Sequence, residues 1–365
     1  MYIHLPWCEK QCPYCDFNIS TNKKDGDEDM LISAILRDLE ESKEYISDRK
    51  FVSVYFGGGT PSLTKSKNIE KILLVLTTNK MLVKDCEISF EFNPKEVDAS
   101  YLADLSNIGI NRASIGIQSF DNRSLKSLER NHDAAEAFKA IEIISSIKTI
   151  KTSIDLIYGV MGQTLDSFEK DIKTFCSQDI SHLSLYQLTI EPNTIFYKKE
   201  LKTPKDTEIE KMESSAKILL NRSNFYQYEV SSWTKNQAFS KHNMNYWMYG
   251  DFLGLGPGAH SKITSKNSIT RMVKLKQVNS YIKNPTKVSK NKISSDGYDI
   301  DLAMNILRLK DGITFDQLAK RNINLTESFL QKLEYGIASN LLEKNEIKAT
   351  DIGYKFLNDT VNIFS

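Results

Sequence analysis

Short apolar runs alternate with longer stretches of helical periodicity through the first half of the chain, and this alternation restricts the fold more than any other feature. The runs predict strands at Tyr2–Leu5, Val52–Phe56, Glu87–Phe92, Arg112–Ile117, Thr152–Tyr158 and His182–Thr189. Strand–helix alternation indicates βαβ units and a parallel sheet, which is an α/β fold. Because six units are too few for an eight-fold barrel, we predict an open, partial TIM-like barrel of about six strands, with a doubly wound sheet as the alternative.

The unusual residues of the chain follow the predicted carboxyl ends of these strands. In strand order they are the cysteine loop after Leu5, the run Gly57–Pro61, and the polar residues Glu91, Gln118 and Asp155. Parallel sheets build their functional sites at this edge, so we expect these segments to lie together. Glycines there let backbone amides approach a ligand closely, although an isolated glycine run is as often only a tight turn.

Cys8, Cys12 and Cys15 form a Cys-x3-Cys-x2-Cys triplet in the loop after the first strand. Thiolates favour iron–sulfur clusters, zinc or copper(I), and a cubane cluster normally takes four protein ligands. Three cysteines would leave one iron of such a cluster open to another ligand. A closed zinc site is the alternative, but it needs a fourth ligand, for which His4 is the nearby candidate.

The remaining composition excludes several classes of protein. Cys86 and Cys176 are isolated from the triplet and are expected in the core, and an odd count of five cysteines without a secretory signal predicts a reducing cytoplasm. Lys and Arg number 48 against 47 Asp and Glu, so no charge bias towards nucleic acid is expected. No apolar run approaches the ~20 residues of a membrane span.

The cysteine spacing resembles that of the radical S-adenosylmethionine (radical SAM) superfamily. In that superfamily three cysteines hold a [4Fe-4S] cluster, and the amino and carboxylate groups of S-adenosylmethionine chelate the fourth iron. Further motifs are similar to those of the coproporphyrinogen III oxidase-like branch, and specifically of its HemW-type haem chaperones. They are Tyr2-Ile-His-Leu-Pro-Trp-Cys8, Cys12-Pro-Tyr-Cys-Asp-Phe-Asn18, Gly57-Gly-Gly-Thr-Pro61, Gly116-Ile-Gln-Ser-Phe120, Asp155-Leu-Ile-Tyr-Gly159 and His242-Asn-Met-Asn-Tyr-Trp247.

The resemblance implies a set of cofactor-binding residues. The cluster ligands are Cys8, Cys12 and Cys15, and the residues that line the S-adenosylmethionine pocket are Tyr2, Tyr14, Gly58, Gly59, Thr60, Glu91, Gln118, Arg130 and Asp155. From chemistry alone, Arg130 offers a planar fork for a carboxylate, while Glu91 or Asp155 could accept hydrogen bonds from an ammonium or a ribose. The alternative is that these polar groups pair with one another or with loop backbone. No catalytic residue is assigned.

Two departures separate the chain from the oxygen-independent coproporphyrinogen oxidases of that branch. Those enzymes carry a further cysteine two positions beyond the triplet, where Phe17 stands here, and an N-terminal extension, where only Met1 precedes Tyr2. The resemblance therefore implies a haem chaperone that delivers haem to respiratory proteins. The alternatives are oxidative decarboxylation of coproporphyrinogen III or other radical SAM chemistry, and a metal-stabilised interaction module that does not use S-adenosylmethionine.

The haem-binding candidates are His242, Asn243, Tyr246 and Trp247, which resemble the His-Asn-x-x-Tyr-Trp signature of the haem-binding branch. An imidazole can ligate haem iron, and aromatic side chains can pack against a porphyrin. The alternative is a histidine at a helix start with Tyr246 and Trp247 in the core. The competing ligands are His4, His132, His182 and His260, of which His260 is the next best.

Four segments are predicted: the partial barrel over 1–205, a small α/β extension with the haem motif over 206–264, a basic linker over 265–295, and a winged-helix-like domain over 296–365. Between Ser265 and Ser295 there are eight Lys or Arg residues and no acid. This stretch is either a solvated linker or a docking strip for anionic lipid at the inner membrane face or for an acidic recipient protein. The last domain, without a concentrated basic recognition helix, is expected to contact protein or act as a lid. A homodimer is a further expectation.

Overall fold

The computed structural model describes residues 1–47, 49–265 and 268–365. Its strands are β1 (Tyr2–Leu5), β2 (Phe51–Gly58), β3 (Leu82–Phe92), β4 (Arg112–Gln118), β5 (Lys151–Tyr158), β6 (His182–Gln187), β7 (Tyr226–Gln227), β8 (Ser232–Thr234), β9 (Gly254–Leu255), β10 (His260–Ser265), β11 (Ser268–Lys274) and β12 (Val288–Lys292).

Its helices are α1 (Asp27–Glu41), α2 (Lys43–Ile46), α3 (Ser66–Thr78), α4 (Ala99–Asn107), α5 (Asn122–Ser127), α6 (Ala134–Ser146), α7 (Leu165–Cys176), α8 (Ile195–Lys198), α9 (Asp206–Arg222), α10 (Lys241–Trp247), α11 (Val278–Lys283), α12 (Ser295–Ile306), α13 (Phe315–Lys320), α14 (Glu327–Ala338), α15 (Asp351–Lys355) and α16 (Leu357–Asn362). Within the ranges that the structure describes, none of these helices is long and apolar enough to cross a membrane.

The main sheet has nine strands in the order β7-β8-β6-β5-β4-β3-β2-β1-β9. Strands β1 to β6 lie side by side in chain order and every neighbouring pair among them is parallel. Strand β9 extends the sheet in parallel beside β1, and β8 is antiparallel to β6. The predicted α/β class with a parallel sheet and intervening helices is therefore confirmed.

Successive residues of the parallel strands point to opposite faces of the sheet, as the period of two requires. Val54 and Phe56 of β2 are buried in the hydrophobic core, whereas Tyr55 between them lines a cavity. Strand β3 repeats the pattern with Phe90 in the core and Glu91 on the cavity. One face of the sheet thus packs on helices, and the other carries polar side chains into a shared space.

The helices cover the apolar face through stripes of buried residues at helical spacing. In α3 the buried apolar side chains are Ile69, Ile72, Leu73 and Leu76, which recur at the i, i+3, i+4 and i+7 positions of one helix face. Side chains fix where several helices begin: Asp133 caps α6 and Thr164 caps α7, each in a capping box.

The segment expected as a basic linker contains regular secondary structure where the structure describes it. Strands β10, β11 and β12 form a three-stranded antiparallel sheet, and α11 lies between the last two. Two of its basic residues serve internal pairs: Lys274 is buried against Asp38, and Arg271 donates to Asp301 at 2.8 Å. Lys266 lies outside the described residues. The exposed basic residues are Lys276, Lys283, Lys287, Lys290 and Lys292.

The C-terminal helices pack around a hydrophobic core of their own. Leu302 of α12, Phe329 of α14 and Phe364 are fully buried there. Two short antiparallel contacts, Ile313 with Ile347 and Leu342 with Ala349, tie the loops between these helices together. The core also takes in Trp247 at the end of α10, which joins these helices to the main sheet.

A buried ion pair connects the small sheet to the main body. The carboxylate of Asp38 in α1 accepts hydrogen bonds from Lys274 Nζ at 2.5 Å and from the Tyr281 hydroxyl at 2.7 Å. Burial raises the pKa of Asp38 although both partners favour its charged form. The pair bridges elements that are more than 200 residues apart in the chain, so it fixes how the small sheet lies on α1.

We expect Lys274→Met to lower the free energy of unfolding by about 3–5 kcal/mol, because it leaves a buried carboxylate without its charged partner. Urea-induced unfolding at neutral pH measures this change. Lys173→Met is the matched control, since it removes an exposed i,i+4 pair with Glu169 and should cost less than about 0.5 kcal/mol. Equal effects of the two substitutions would contradict the assigned role of the buried pair.

Candidate functional site

The cysteine loop leaves the carboxyl end of β1 and is closed by its own backbone hydrogen bonds. The Cys8 amide donates to the Ser20 carbonyl at 3.1 Å, and the Ser20 amide donates to the Pro6 carbonyl at 2.8 Å. Within the loop, the Cys15 amide donates to the Cys12 carbonyl at 3.0 Å. All three cysteines line one cavity of about 460 Å³, as predicted from their position after a strand end.

The sulfur atoms of Cys8 and Cys12 accept hydrogen bonds from neighbouring side chains. The Thr60 hydroxyl donates to Cys8 Sγ at 3.4 Å, and Arg130 Nη1 donates to Cys12 Sγ at 3.3 Å. Hydrogen bonds to sulfur are among the features that tune iron–sulfur clusters. Burial raises the pKa of Cys15 to about 11 and shifts that of Cys8 in the same direction, so both favour the thiol form until a metal replaces the proton.

A single-metal site fits the same residues less well. Among the described residues, no group of three or more His, Cys, Asp or Glu side chains lies close enough together to hold one metal ion. A four-iron cube spaces its thiolates more widely than one ion does, so this finding is compatible with a cluster. His4 is also committed elsewhere: its Nδ1 accepts from the Tyr2 hydroxyl at 3.0 Å, and its Nε2 donates to the Asn18 carbonyl at 2.7 Å.

The glycine run after β2 lies against the cysteine loop. The Gly59 amide donates to the Leu5 carbonyl at 2.8 Å, and the Thr60 amide donates to the Trp7 carbonyl at 2.7 Å. A Cβ atom on Gly59 would lie 2.6 Å from the Trp7 carbonyl oxygen, and Gly58 has a φ of 119°. The close packing against the cysteine loop therefore requires glycine here. A ligand that approaches the backbone closely would require it as well. Gly58, Gly59 and Thr60 all line the cavity.

Two acids face the cavity with raised pKa values. Glu91 accepts from the Tyr55 hydroxyl at 2.8 Å and from the Gly58 amide at 3.2 Å, and burial raises its pKa to about 7. Asp155 accepts from the Ser114 hydroxyl at 3.0 Å, and burial raises its pKa to about 6. Carboxylates that titrate near neutral pH in a cavity are candidates for binding a cationic group.

The Arg130 guanidinium makes several hydrogen bonds to groups within the protein. Its Nη1 contacts Cys12 and the Tyr14 hydroxyl at 3.3 Å, and its Nη2 donates to Asn93 Oδ1 at 2.9 Å and to the Gly116 carbonyl at 3.1 Å. The guanidinium therefore ties the cysteine loop to the ends of β3 and β4, and its Nε is buried without a hydrogen-bond partner in the described part of the chain.

The structure brings most predicted S-adenosylmethionine residues to this cavity. Those that line it are Tyr14, Gly58, Gly59, Thr60, Glu91, Gln118, Arg130 and Asp155. Gln118 ends β4 with a φ of 66°, an uncommon conformation for a residue with a side chain. Tyr2 is not among the described residues that line the cavity. Its ring stacks on that of Tyr55, with the ring centroids 6.2 Å apart.

The haem candidates on α10 lie near the amino ends of the strands. Ser240 caps the helix, and His242 is buried with its Nδ1 hydrogen-bonded to the Ser53 hydroxyl at 2.9 Å. Burial lowers the pKa of His242 well below its usual range, so the ring is neutral. Asn243 lines the floor of the cavity.

The aromatic members of the same motif pack internally. Tyr246 contacts the His242 ring edge-on at 4.9 Å, and Trp247 lies under the Arg308 guanidinium at 4.3 Å. Two competing histidines also have partners, His132 with the Ile117 carbonyl and His182 with Ser153 and Tyr228. His260 is exposed.

Several cavity residues were missed by the sequence analysis although the signal was present. They share the strand faces of the predicted residues at two-residue spacing: Tyr55, Ser89, Ser114, Ser153 and Ser184. Polar and apolar residues alternate within these strands, although both faces of a parallel strand are usually buried. This alternation indicates that one face of the sheet is polar. The buried pair of Arg112 with Glu87, at 3.4 Å, belongs to this face as well.

Comparison with known proteins agrees with this geometry. The sequence model of the radical SAM superfamily matches residues 2–175. The fold is similar to that of a solved structure, coproporphyrinogen III oxidase (HemN) from Escherichia coli, described as a radical SAM enzyme, with a TM-score of 0.82 at 20% identity over 100% of this chain and 89% of that one. The matched residues include the cysteine loop at the carboxyl edge of the sheet, and the match assigns a radical SAM domain to this chain.

Full-length relatives narrow the class further. The chain is 37% identical over 368 residues to heme chaperone HemW of Buchnera aphidicola subsp. Acyrthosiphon pisum and 32% identical over 367 residues to that of Escherichia coli, covering 100% of this chain and 97% of each relative. It is 33% identical over 266 residues to the mitochondrial radical S-adenosyl methionine domain-containing protein 1 of Danio rerio, over 72% of this chain and 60% of that protein. The chain belongs to the HemW family.

Glu91→Gln should flatten the pH dependence of stability. The raised pKa of Glu91, about 7 against an ordinary 4.5, means that its contribution to stability is complete below pH 4.5 and is lost as pH rises through 7. The amide cannot titrate, so the slope of unfolding free energy against pH should decrease by up to about 1.4 kcal/mol per pH unit in this window. Asp155, whose pKa is raised to about 6, maintains a residual slope below that pH.

Urea unfolding of the cluster-free, reduced protein between pH 4.5 and 8 measures this difference. Glu142→Gln, on an exposed position of α6, is the control and should leave the slope as in the unsubstituted protein. A Glu91→Gln profile parallel to that control would show that Glu91 titrates normally.

Proposed function

We propose that this chain is a haem chaperone, which binds haem and delivers it to haem-requiring respiratory proteins. The observation that carries the proposal is the match over the full chain to relatives named heme chaperone HemW. Phe17 supports it, because this side chain is 61% exposed beside the cavity, at the position where the resemblance places a further cysteine in the oxidases. The alternative is coproporphyrinogen III decarboxylation or other radical SAM chemistry.

In this proposal Cys8, Cys12 and Cys15 hold a [4Fe-4S] cluster, and S-adenosylmethionine binds beside it. Bound together, these groups would be able to supply one-electron chemistry, but their proposed role in this chain is to regulate haem transfer or dimerisation instead of driving turnover. Glu91 is the proposed hydrogen-bond acceptor for the cosubstrate's amino group, because its carboxylate faces the cavity next to Gly58. The other contacts are Tyr2, Tyr14, Gly59, Thr60, Gln118, Arg130 and Asp155.

Haem is the cargo, and His242, Asn243, Tyr246 and Trp247 are its proposed contacts. Because the His242 ring is buried, iron coordination by this residue requires α10 to move away from β2. The buried Nε2 of His242 has no hydrogen-bond partner among the described residues, so this atom itself is free to coordinate iron, although moving α10 breaks the bond of Nδ1 to Ser53. His260, which is exposed, is the alternative ligand.

The finer architecture is part of the same proposal. The polar faces of β2 to β6 line one cavity, which supports an open barrel curled around it over residues 1–205. An extension over 206–264 carries α10, and the core formed by α12 to α16 supports a separate winged-helix-like unit over 296–365 that acts as a lid or protein contact. The exposed lysines of the 265–295 segment provide a docking surface for a recipient or for anionic lipid at the cytoplasmic face of a membrane, and the chaperone works as a homodimer.

Titration of the anaerobically reconstituted protein with haem should give a Soret band, and His242→Ala should weaken haem binding by about tenfold or more because an axial ligand is lost. Absorbance titration measures the dissociation constant, and iron and sulfide content shows that the cluster is retained. His260→Ala is the comparison variant and should bind haem as the unsubstituted protein does. Loss of the Soret band in His260→Ala alone would assign the ligand to His260.

The rival enzyme function is tested by incubating the same protein with dithionite, S-adenosylmethionine and coproporphyrinogen III. The chaperone proposal predicts that no decarboxylated porphyrinogen forms. Its formation would overturn the chaperone assignment.

A further inference from the structure

We propose that His242 is a positioning residue for the S-adenosylmethionine site, which acts through Tyr55 on the carboxylate of Glu91. This inference rests on the proposed function, since it takes Glu91 as the hydrogen-bond acceptor for the cosubstrate's amino group. The positioning role of His242 is compatible with its buried position, whether or not the residue also ligates haem iron. Tyr55 then links the S-adenosylmethionine site to the haem motif on α10.

The first link joins Glu91 to Tyr55. The Glu91 carboxylate has two hydrogen-bond donors, the Tyr55 hydroxyl on Oε1 and the Gly58 amide on Oε2. These two donors approach different oxygens and so fix the rotation of the carboxylate about its last bond. Loss of the hydroxyl would leave one buried oxygen without its donor and the carboxylate free to turn.

The second link joins Tyr55 to His242. The two rings stack with centroids 4.7 Å apart and planes 22° apart, and Tyr2 lies beside both, 6.2 Å from Tyr55 and 6.4 Å from His242. Tyr55 thus reaches Glu91 with its hydroxyl while the imidazole supports its ring. Removing the imidazole would open a space into which the Tyr55 ring could tilt, taking its hydroxyl away from Glu91.

The third link holds His242 itself. Its Nδ1 is hydrogen-bonded to the Ser53 hydroxyl at 2.9 Å, and its backbone amide donates to Glu87 Oε1 at 3.1 Å. Glu87 in turn pairs with Arg112 at the start of β4. The imidazole is therefore fixed to β2 and β3 on one side and presents its face to Tyr55 on the other.

The other end of the same helix reaches the C-terminal helices. Trp247 packs on their core, and the Arg308 guanidinium after α12 lies 4.3 Å from its ring. A shift of these helices would move α10 and so alter the support of Tyr55. By reciprocity, cosubstrate binding at Glu91 favours the seated position of α10 and opposes any process that withdraws His242.

The test measures the dissociation constant of labelled S-adenosylmethionine by equilibrium dialysis with the reconstituted full-length protein. His242→Ala and Tyr55→Phe should each raise this constant about tenfold, since each loosens a hydrogen bond to a charged group. His242→Phe keeps a ring for stacking without the nitrogens and should restore binding to within about threefold of the unsubstituted protein. Combining Tyr55→Phe with His242→Ala should add little, because both act through one contact.

Tyr158→Phe is the matched control. Its hydroxyl also donates to a carboxylate, Glu213 at 2.9 Å, but Tyr158 is not among the residues that line the cavity in the described structure, so cosubstrate binding should not change. Iron and sulfide content checks that every variant retains its cluster. The inference would be overturned if Tyr55→Phe, His242→Ala and His242→Phe all bound S-adenosylmethionine as tightly as the unsubstituted protein does. Binding equally weak in His242→Phe and His242→Ala would also overturn it, because a ring would then not suffice.

Failure of the proposed function gives a different result. If the unsubstituted, cluster-loaded protein binds no S-adenosylmethionine, the cosubstrate assignment itself is wrong and the inference falls with it. If the unsubstituted protein binds and the variants bind equally well, only the positioning role is wrong.

Discussion

The site depends on the close contact between the glycine run after β2 and the cysteine loop after β1. Backbone hydrogen bonds from Gly59 and Thr60 reach carbonyls on either side of the turn into that loop, at 2.7–2.8 Å. No side chain fits between these two segments at Gly59. Because β1 and β2 are parallel neighbours, their carboxyl ends must lie side by side, and the contact makes one rigid rim of two strand ends. Arg130 extends this rim to β3 and β4.

Below the rim the sheet carries polar side chains where most parallel sheets bury apolar ones. Glu91 and Asp155 face the cavity with raised pKa values, and the ion pair of Glu87 with Arg112 lies near the opposite end of the strands. Each of these groups has hydrogen-bond partners that offset part of the cost of burial. A polar interior of this kind can bind a charged cosubstrate because its own charges are already oriented.

The sequence predicted the strands and the edge at which the site lies, because hydrophobic periodicity and glycine or cysteine runs are local signals. It could not predict partners that are distant in the chain. Lys274 looked like part of a solvated basic strip, but Asp38 on α1 buries it. For Arg130 the sequence left a ligand role and local pairing both open and could not name the partners, which are four groups from three segments on its Nη atoms. The stack of His242 on Tyr55 likewise depends on how α10 returns to β2, which no local pattern specifies.

The central claim is that three cysteine thiolates leave one iron of a [4Fe-4S] cluster open to S-adenosylmethionine. The most direct measurement is electron–nuclear double resonance of the reduced, cluster-loaded protein with S-adenosylmethionine that carries ¹⁵N in its amino group. The account predicts a hyperfine coupling between that nitrogen and the cluster, which should be absent when S-adenosylmethionine is left out. A cluster signal without nitrogen coupling, with a fourth protein ligand on the remaining iron, would contradict it.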